Sequence, residues 1–531
     1  MLAALPATAL ASGETLTVTP TNPQAGGVTP VSATLDFAAG DTPETVVTSL
    51  APGMLANLNA NPGCLATEQT TPSCQIGTAA VNVAGAGSFA GNLYLVPPHG
   101  SDAAGIAFVP GSGSPAALVT QYIGVSLNPN ARGGLNLTTT FPNTSPAQIT
   151  SFTTNFTTLN GQPFTRLPSS CSTATSSFTV TYYNGTPNGG AAGSFTPTGC
   201  PSLPYAPKLS GAITKDAKDS GATLVFDVTQ AASESASKSI TLKLPSGLGI
   251  NLTAIATCLS GSGPGCAVGS ATATSPLLPS PALANGTVTL GGTLTAPTLS
   301  IAFPAPFGIT LTGSVNLANT SVTFGSVPDV PLTNLALTIT GPNGGKAFTT
   351  DCKAATVGGT FTAQSGAAKS ETVPVTFNGC VTVTGSTGGL ATGHPNLKFK
   401  LAHAKGGANL VSVAVGLPGG LSFSRSAFVS HKTCTTLKGK KKKCTTTTLI
   451  SGLGISGGRA SSVVLKGGKL VITLAKGTGS LSLTISRPLV TETKSLKTKV
   501  KRHKAGKLTF TFKITEAQGT ANAVAVNLKP H

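Results

Sequence analysis

No tryptophan occurs in the 531 residues, and tyrosine occurs only five times. Modules that recognise sugars or single-stranded nucleic acid stack their ligands on exposed rings, so both readings start weak. Charge is sparse too: 9% of residues are charged, with 15 acidic groups and six histidines in the whole chain. General acid–base catalysis needs several such groups to converge, and here there are few to recruit. Low charge also suits a membrane protein, yet no uninterrupted apolar run reaches the ~18 residues of a spanning helix. What the chain has is Gly (64), Pro (38), many Thr and Ser, and 40% hydrophobic residues. Strands of Val, Thr, Leu and Ile punctuated by Gly and Pro account for that composition.

The ten cysteines fall into five short-range pairs. Cys64 and Cys74 are 10 apart, Cys258 and Cys266 are 8 apart, and Cys434 and Cys444 are 10 apart. Two wider pairs sit between them: Cys171 with Cys200, 29 apart, and Cys352 with Cys380, 28 apart. An even count at recurring spacings reads as a disulfide framework, which belongs outside the reducing cytoplasm. Spacing alone leaves connectivity open, and the recurrence favours nearest-neighbour bridges. Closing loops of ~10 residues restrains the unfolded chain by about 2–3 kcal/mol, and the wider loops by more. Residues 1–11 agree with export: Ala9-Leu10-Ala11 has the small-x-small form of a signal-peptidase site after an apolar stretch. They read as the remnant of a signal peptide that starts upstream of Met1, against the alternative of a flexible Ala-rich terminus.

A repeat organises the chain. Leu50-Ala-Pro-Gly-Met runs into Cys64, Leu244-Pro-Ser-Gly-Leu into Cys258, and Leu417-Pro-Gly-Gly-Leu precedes Cys434. Phe141, Ile149, Phe152 and Phe156 match Phe324, Leu332, Leu335 and Ile339 at a constant offset of 183. This is a duplication of about 180 residues with a partial third copy. The expected units are 12–200, 201–384 and 394–531, with a stiff joint at Pro201–Pro207 and a looser Gly-rich one at Gly385–Gly393. Val381–Thr384 reads as a last strand of the second unit.

Locally the pattern is β. Leu508, Phe510, Phe512 and Ile514 alternate with Thr509, Thr511, Lys513 and Thr515. Gly467-Gly468 between two strand patterns predicts a tight hairpin, and Asn343-Gly344 predicts another. Short strands at regular spacing and no sustained helical period predict an all-β chain: tandem immunoglobulin-like β-sandwich modules, disulfide-stapled, with little helix.

The net charge of +19 is not spread evenly. Residues 1–207 carry −4, residues 208–380 carry +1, and residues 381–531, with 24 basic and two acidic groups, carry +22. Lys438, Lys440, Lys441, Lys442 and Lys443 lie inside the Cys434–Cys444 loop. Lys497, Lys499, Lys501, Arg502 and Lys504 form a second run, the first three expected on one face of a strand. Clustered cations attract polyanions through counterion release. The competing reading is a lysine-rich hairpin tip that resists aggregation.

Catalytic motifs are weak. Gly454-Ile-Ser-Gly-Gly458 matches a nucleophile elbow in form, but a strand pattern follows where a helix is required. Gly341–Lys346 has the look of a phosphate loop with wrong spacing, and Asp216 with Asp219 reads as a charged turn. His431, His403 and the nearby cysteines lack zinc-site spacing. No catalytic, cofactor or metal residues are assigned.

Leu-Pro-x-Gly-Leu, the close cysteine pair, Phe324-Gly-Ser-Val-Pro-Asp-Val-Pro-Leu332 and Asn378-Gly-Cys380 together resemble long exported repeat proteins of high-GC Gram-positive, actinobacterial bacteria. The resemblance covers the first two units and the start of the third. Residues 143–149 of the first unit lack the Pro-Asp-Val-Pro pattern. It implies a secreted or surface location and β-sandwich modules, and it transfers no catalytic residues.

The sequence therefore points to a non-enzymatic extracellular or cell-surface protein of structural and adhesive kind. Its partner would be an anionic polymer or surface: wall polymers, lipid head groups or nucleic acid. No small-molecule substrate and no transmembrane span are expected. The alternative is a secreted hydrolase whose carboxylates converge only in three dimensions.

Overall fold

Period-two alternation builds almost every element. In Leu508–Glu516 the four apolar residues are buried while Thr509, Thr511 and Lys513 are exposed. Leu397, Phe399 and Leu401 are buried in the same way, and Phe399 packs edge-on against Phe510 and Phe512. The computed structural model describes residues 13–531 except 39, 69, 115–118, 129, 131–132, 144–147, 184, 186–187, 217–219, 246, 262–264, 282, 353–354, 404–408, 437–441 and 518–520. For 430–436 and 442–449 it describes the backbone only. The chain is all-β, a tandem of sandwich modules stapled by disulfides, and the described residues include two short α-helices.

The first module is built from β1 (Thr15–Pro20), β2 (Val31–Asp36), β3 (Pro43–Ser49), β4 (Gln75–Val83), β5 (Gly87–Val96), β6 (Ala104–Pro110), β7 (Gln121–Leu127), β8 (Leu135–Thr140), β9 (Ile149–Phe156), β10 (Ala174–Tyr182) and β11 (Gly189–Phe195). They pair in the order β1-β2-β9-β4-β5-β6-β7-β8-β3-β10-β11. The two ends of this order lie side by side: a side chain at Gly193 on β11 would strike the Leu16 carbonyl on β1. The sheet rolls until its rims meet, giving a sandwich closed on both sides around one core.

The second module repeats the plan with β12 (Lys208–Lys215), β13 (Gly221–Thr229), β14 (Ser237–Lys243), β15 (Cys266–Thr274), β16 (Gly286–Gly292), β17 (Pro297–Ala302), β18 (Thr310–Asn316), β19 (Ser321–Phe324), β20 (Asn334–Ile339), β21 (Thr356–Ala363) and β22 (Ala368–Pro374). Its pairings run β12-β13-β20-β15-β16-β17-β18-β19-β14-β21-β22, the same order strand for strand. Even the irregularities recur. The ladder shifts register between Gln75 and Gly77 in β4 and between Ala267 and Gly269 in β15. Each glycine sits where a side chain would collide with the neighbouring strand's carbonyl, of Asn155 and Thr338 respectively.

Four bridges form as nearest neighbours. Cys64–Cys74 and Cys258–Cys266 close the loops ahead of β4 and β15, with Cα atoms 5.6 and 5.1 Å apart. Cys171–Cys200 and Cys352–Cys380 clamp the bases of hairpins β10–β11 and β21–β22, at 5.9 and 5.7 Å. In the third module the ladder of Phe428–Thr436 with Lys442–Ile450 sets Cys434 directly opposite Cys444.

A strand at Thr376–Asn378 lies parallel between β12 and Ala521–Leu528, so the sheets of the second and third modules run into one another. Two sequence expectations are corrected nearby. The strand beginning at Val381 runs to Gly388 and pairs throughout with Asn396–His403, so Val381–Thr384 belongs to the third core and the first half of the expected Gly-rich joint is strand. Asn343 and Gly344 do adopt left-handed φ, 50° and 77°. They link β20 to Phe348–Thr350, however, and both of these pair with β13 instead of with each other. Gly467-Gly468 does form the two-residue hairpin turn, with Lys466 opposite Lys469.

Candidate functional site

Of the expected polyanion contacts, Lys438, Lys440 and Lys441 lie outside the described residues, and Lys442 and Lys443 are described by backbone alone. The second run is described fully, and its strand assignment is corrected. Lys494–Lys501 is a helix, capped by the Thr493 hydroxyl accepting from the Leu496 amide at 3.2 Å. Leu496 and Val500, one turn apart, are both buried, and that pair holds the helix to the third core. Alternating lysines imitated a strand because the helix spans only two turns. Lys497 donates to the Thr392 carbonyl at 2.9 Å, while Lys499, Lys501, Arg502, Lys504 and Lys507 stand exposed around the helix C-terminus. Cations there also complement the helix dipole.

The module's only two carboxylates are withdrawn from this surface. Glu516 is fully buried, and both carboxyl oxygens of Glu492 are shielded from solvent. Burial pushes both carboxyls above their ordinary range; Lys497, Arg487 and His394 pull Glu492 partly back, and Asn522 and His403 do so for Glu516.

The second arrangement is the seam between the first two modules. It is made by the segment Pro328-Asp-Val-Pro331 that the first unit lacks. Asp329, 8% exposed, accepts hydrogen bonds from the Ser169 amide at 2.7 Å and the Ser169 hydroxyl at 2.5 Å. The same hydroxyl accepts from the Ala236 amide at 3.1 Å. Arg166, 5% exposed, donates to the carbonyls of Ala232 and Glu234 at 3.1 and 3.2 Å. Burial raises the Asp329 carboxyl above the usual carboxylate range, against the pull of Ser169 and Arg166, and burial lowers Arg166. The approach is close enough to require glycine: side chains at Gly53 (φ +86°) and Gly133 (φ +73°) would run into Asp329 and Pro328.

Directly inside this seam lies a cavity of about 340 Å³. Its wall comes from most strands of the first module and from Leu277, Leu278, Phe307 and Ile309 of the second. A roll of eleven strands is wider than the ~8-stranded barrels that side chains can fill. The inward residues here are mostly Val, Leu, Ile and Ala. Among the described residues, no carboxylate, histidine or cysteine lines it. In the second module a pocket among β13, β14, β20 and residues 327–332 measures about 10 Å³, and the central strand β16 has 7 residues against 10 in its counterpart β5.

Other polar clusters are structural braces. His99 stacks on Tyr122 with centroids 3.9 Å apart and lies 3.0 Å from Glu68, while Tyr122 donates to Asp102 at 2.9 Å. Burial pushes the Tyr122 phenol up to about 12, so it serves only as a protonated donor to Asp102 and an acceptor from the His99 amide. Lys346 donates to the Thr223 hydroxyl at 3.2 Å. Leu453–Ser456 passes through a turn into the strand Ala460–Lys466, with no helix to support an elbow. Asp219 lies outside the described residues. Among those described, no three His, Cys, Asp or Glu side chains gather as a metal site, and no helix is long and apolar enough to cross a membrane. Sequence reasoning missed both the seam and the cavity.

No family model matches the chain, and no curated protein matches it. Among solved structures, the MSCRAMM ACE of Enterococcus faecalis, which binds its ligands by the collagen hug model, is similar at 10% identity and a TM-score of 0.15. That match covers 62% of this chain and 95% of the other. A Corynebacterium diphtheriae protein described as membrane-anchored is similar at 10% identity and TM-score 0.16, covering 97% and 91%. Salmonella alpha-2-macroglobulin reacted with methylamine follows at 9% identity and TM-score 0.15, covering 98% of this chain and 24% of that one. Likeness at this level carries no argument about fold or activity.

Proposed function

We propose that the chain is a non-enzymatic, exported cell-surface protein of structural and adhesive kind that presents a cationic third module to an anionic polymer. The observation that carries this is the separation of charge in that module. Its cations stand exposed around the C-terminal turn of Lys494–Lys501, while both of its carboxylates are drawn inward. With the carboxylates withdrawn, the positive field of that face extends about a Debye length, ~10 Å at 0.1 M salt. The disulfides support a place outside the cytoplasm. The buried seam and the shared sheet support a stiff mount for the cationic module.

The test is retention of the full chain on heparin, with duplex DNA as a second probe. Replacing Lys499, Lys501, Arg502 and Lys504 by Gln should lower the eluting salt, and should reduce the salt slope on DNA by about 0.9 for each phosphate that is no longer neutralised. Unchanged elution by that variant, or no retention of the wild type, would remove the proposal.

A further inference from the structure

We propose that the first module binds one linear aliphatic chain, the tail of a lipid or fatty acid, in the cavity behind its seam with the second module. This inference is independent of the cationic third module.

The size falls in the ~300–1,000 Å³ range of small-molecule sites. Three buried hydroxyls of the wall are already committed to the protein. The Ser176 hydroxyl accepts from the Ala51 amide at 3.0 Å, Thr139 donates to the Tyr122 carbonyl at 3.3 Å, and Thr154 donates to the Ala33 carbonyl at 3.4 Å. A polar ligand would be desolvated there with little to pair with, whereas hydrocarbon has no such cost. Among the described residues, no charged side chain faces the interior. The lining residues that stay exposed are Gly308 and Thr310, both in the second module at the seam. A mouth beside these two residues would take a chain tail first and leave its head group at the junction.

The duplication argues that the space is not forced by the fold. The second module has the same strand order, yet the pocket where its β13, β14 and β20 meet measures about 10 Å³. The first module keeps taller central strands, and the second module's Leu278 and Phe307 complete its wall.

Native mass spectrometry and calorimetry on the full chain test the proposal, with free palmitate, hexadecanol and palmitoyl-phosphatidylglycerol vesicles as separate arms. One equivalent of chain should bind saturably in at least one arm, and the arms tell a free acid or alcohol from a membrane lipid. Ile123→Phe, which fills the interior, should weaken binding about tenfold or more. Thr310→Trp, at an exposed mouth position outside the core, should slow uptake, and it decides the matter if Ile123→Phe does not fold. The proposal is overturned if no arm shows saturable one-to-one binding or if both variants bind as the wild type does. It is equally overturned if binding is lost on neutralising the cations of the third module.

Discussion

Replacing Asp329 by Ala tests whether the first two modules behave as one body. The substitution removes two hydrogen bonds to a buried acceptor, each worth ~1.5–3 kcal/mol when the acceptor is charged. It also leaves the buried Arg166 without the counter-charge beside it. The effects overlap, so the expected loss is about 3–5 kcal/mol, the range for breaking a buried charge partnership. For units of ~150–250 residues each kcal/mol lowers the midpoint by ~2–4 °C, giving a fall of roughly 6–20 °C. Scanning calorimetry on the disulfide-intact chain reads this directly, and the first two modules should then melt as separate transitions. Acidity gives an independent check. Burial raises the folded carboxyl above its unfolded value, so between the two values the folded chain holds a proton the unfolded chain has released. Lowering the pH through that window favours folding at this group. Measured against Asp329→Asn, the wild type should gain stability as pH falls from neutral toward about 4. A shift below about 2 °C for Asp329→Ala, or a gap that moves the other way with pH, would refute the reasoning.

Removing Cys171–Cys200 as a Ser pair should cost about 3.5 kcal/mol and removing Cys258–Cys266 about 2.5 kcal/mol, a ranking by loop length that chemical denaturation can check. Leu496→Ala should loosen the helix from the third core and cost about 2–4 kcal/mol, seen as earlier melting of that module with the other two unchanged. Gly133→Ala should cost about 1–3 kcal/mol from the left-handed backbone, plus a clash with Pro328, and should raise hydrogen exchange at the seam. Peptide mapping without reductant should recover Cys434 joined to Cys444, since the ladder sets them opposite one another; two free thiols there would contradict it.

The duplication was readable because packing in a rolled sheet demands the same residue at the same place. Gly77 and Gly269 are shared since a carbonyl passes over both, and the apolar residues offset by 183 recur because the two rolls share one strand order. The nearest-neighbour bridges were readable for the same reason. Lys494–Lys501 was not, because two turns are too short to display a helical period against an alternating lysine background. The seam left one trace: the Pro-Asp-Val-Pro present in the second unit and missing from the first supplies Asp329 and Pro328 to the contact. The cavity left none, since unfilled volume depends on strand length around the whole roll and no single residue encodes it.

When the chain is drawn out from its two ends, the two wide bridges decide what gives way. Cys171–Cys200 and Cys352–Cys380 join positions 29 and 28 apart in sequence, across the rim hairpins of their modules. Tension along the backbone crosses each sulfur link and never loads those hairpins. At ~3.3–3.6 Å per extended residue, the two loops withhold about 200 Å of slack that a reduced chain would release. In an oxidising setting the extended chain is thus short and abrupt at full stretch; reduction would turn it into a longer, more compliant one.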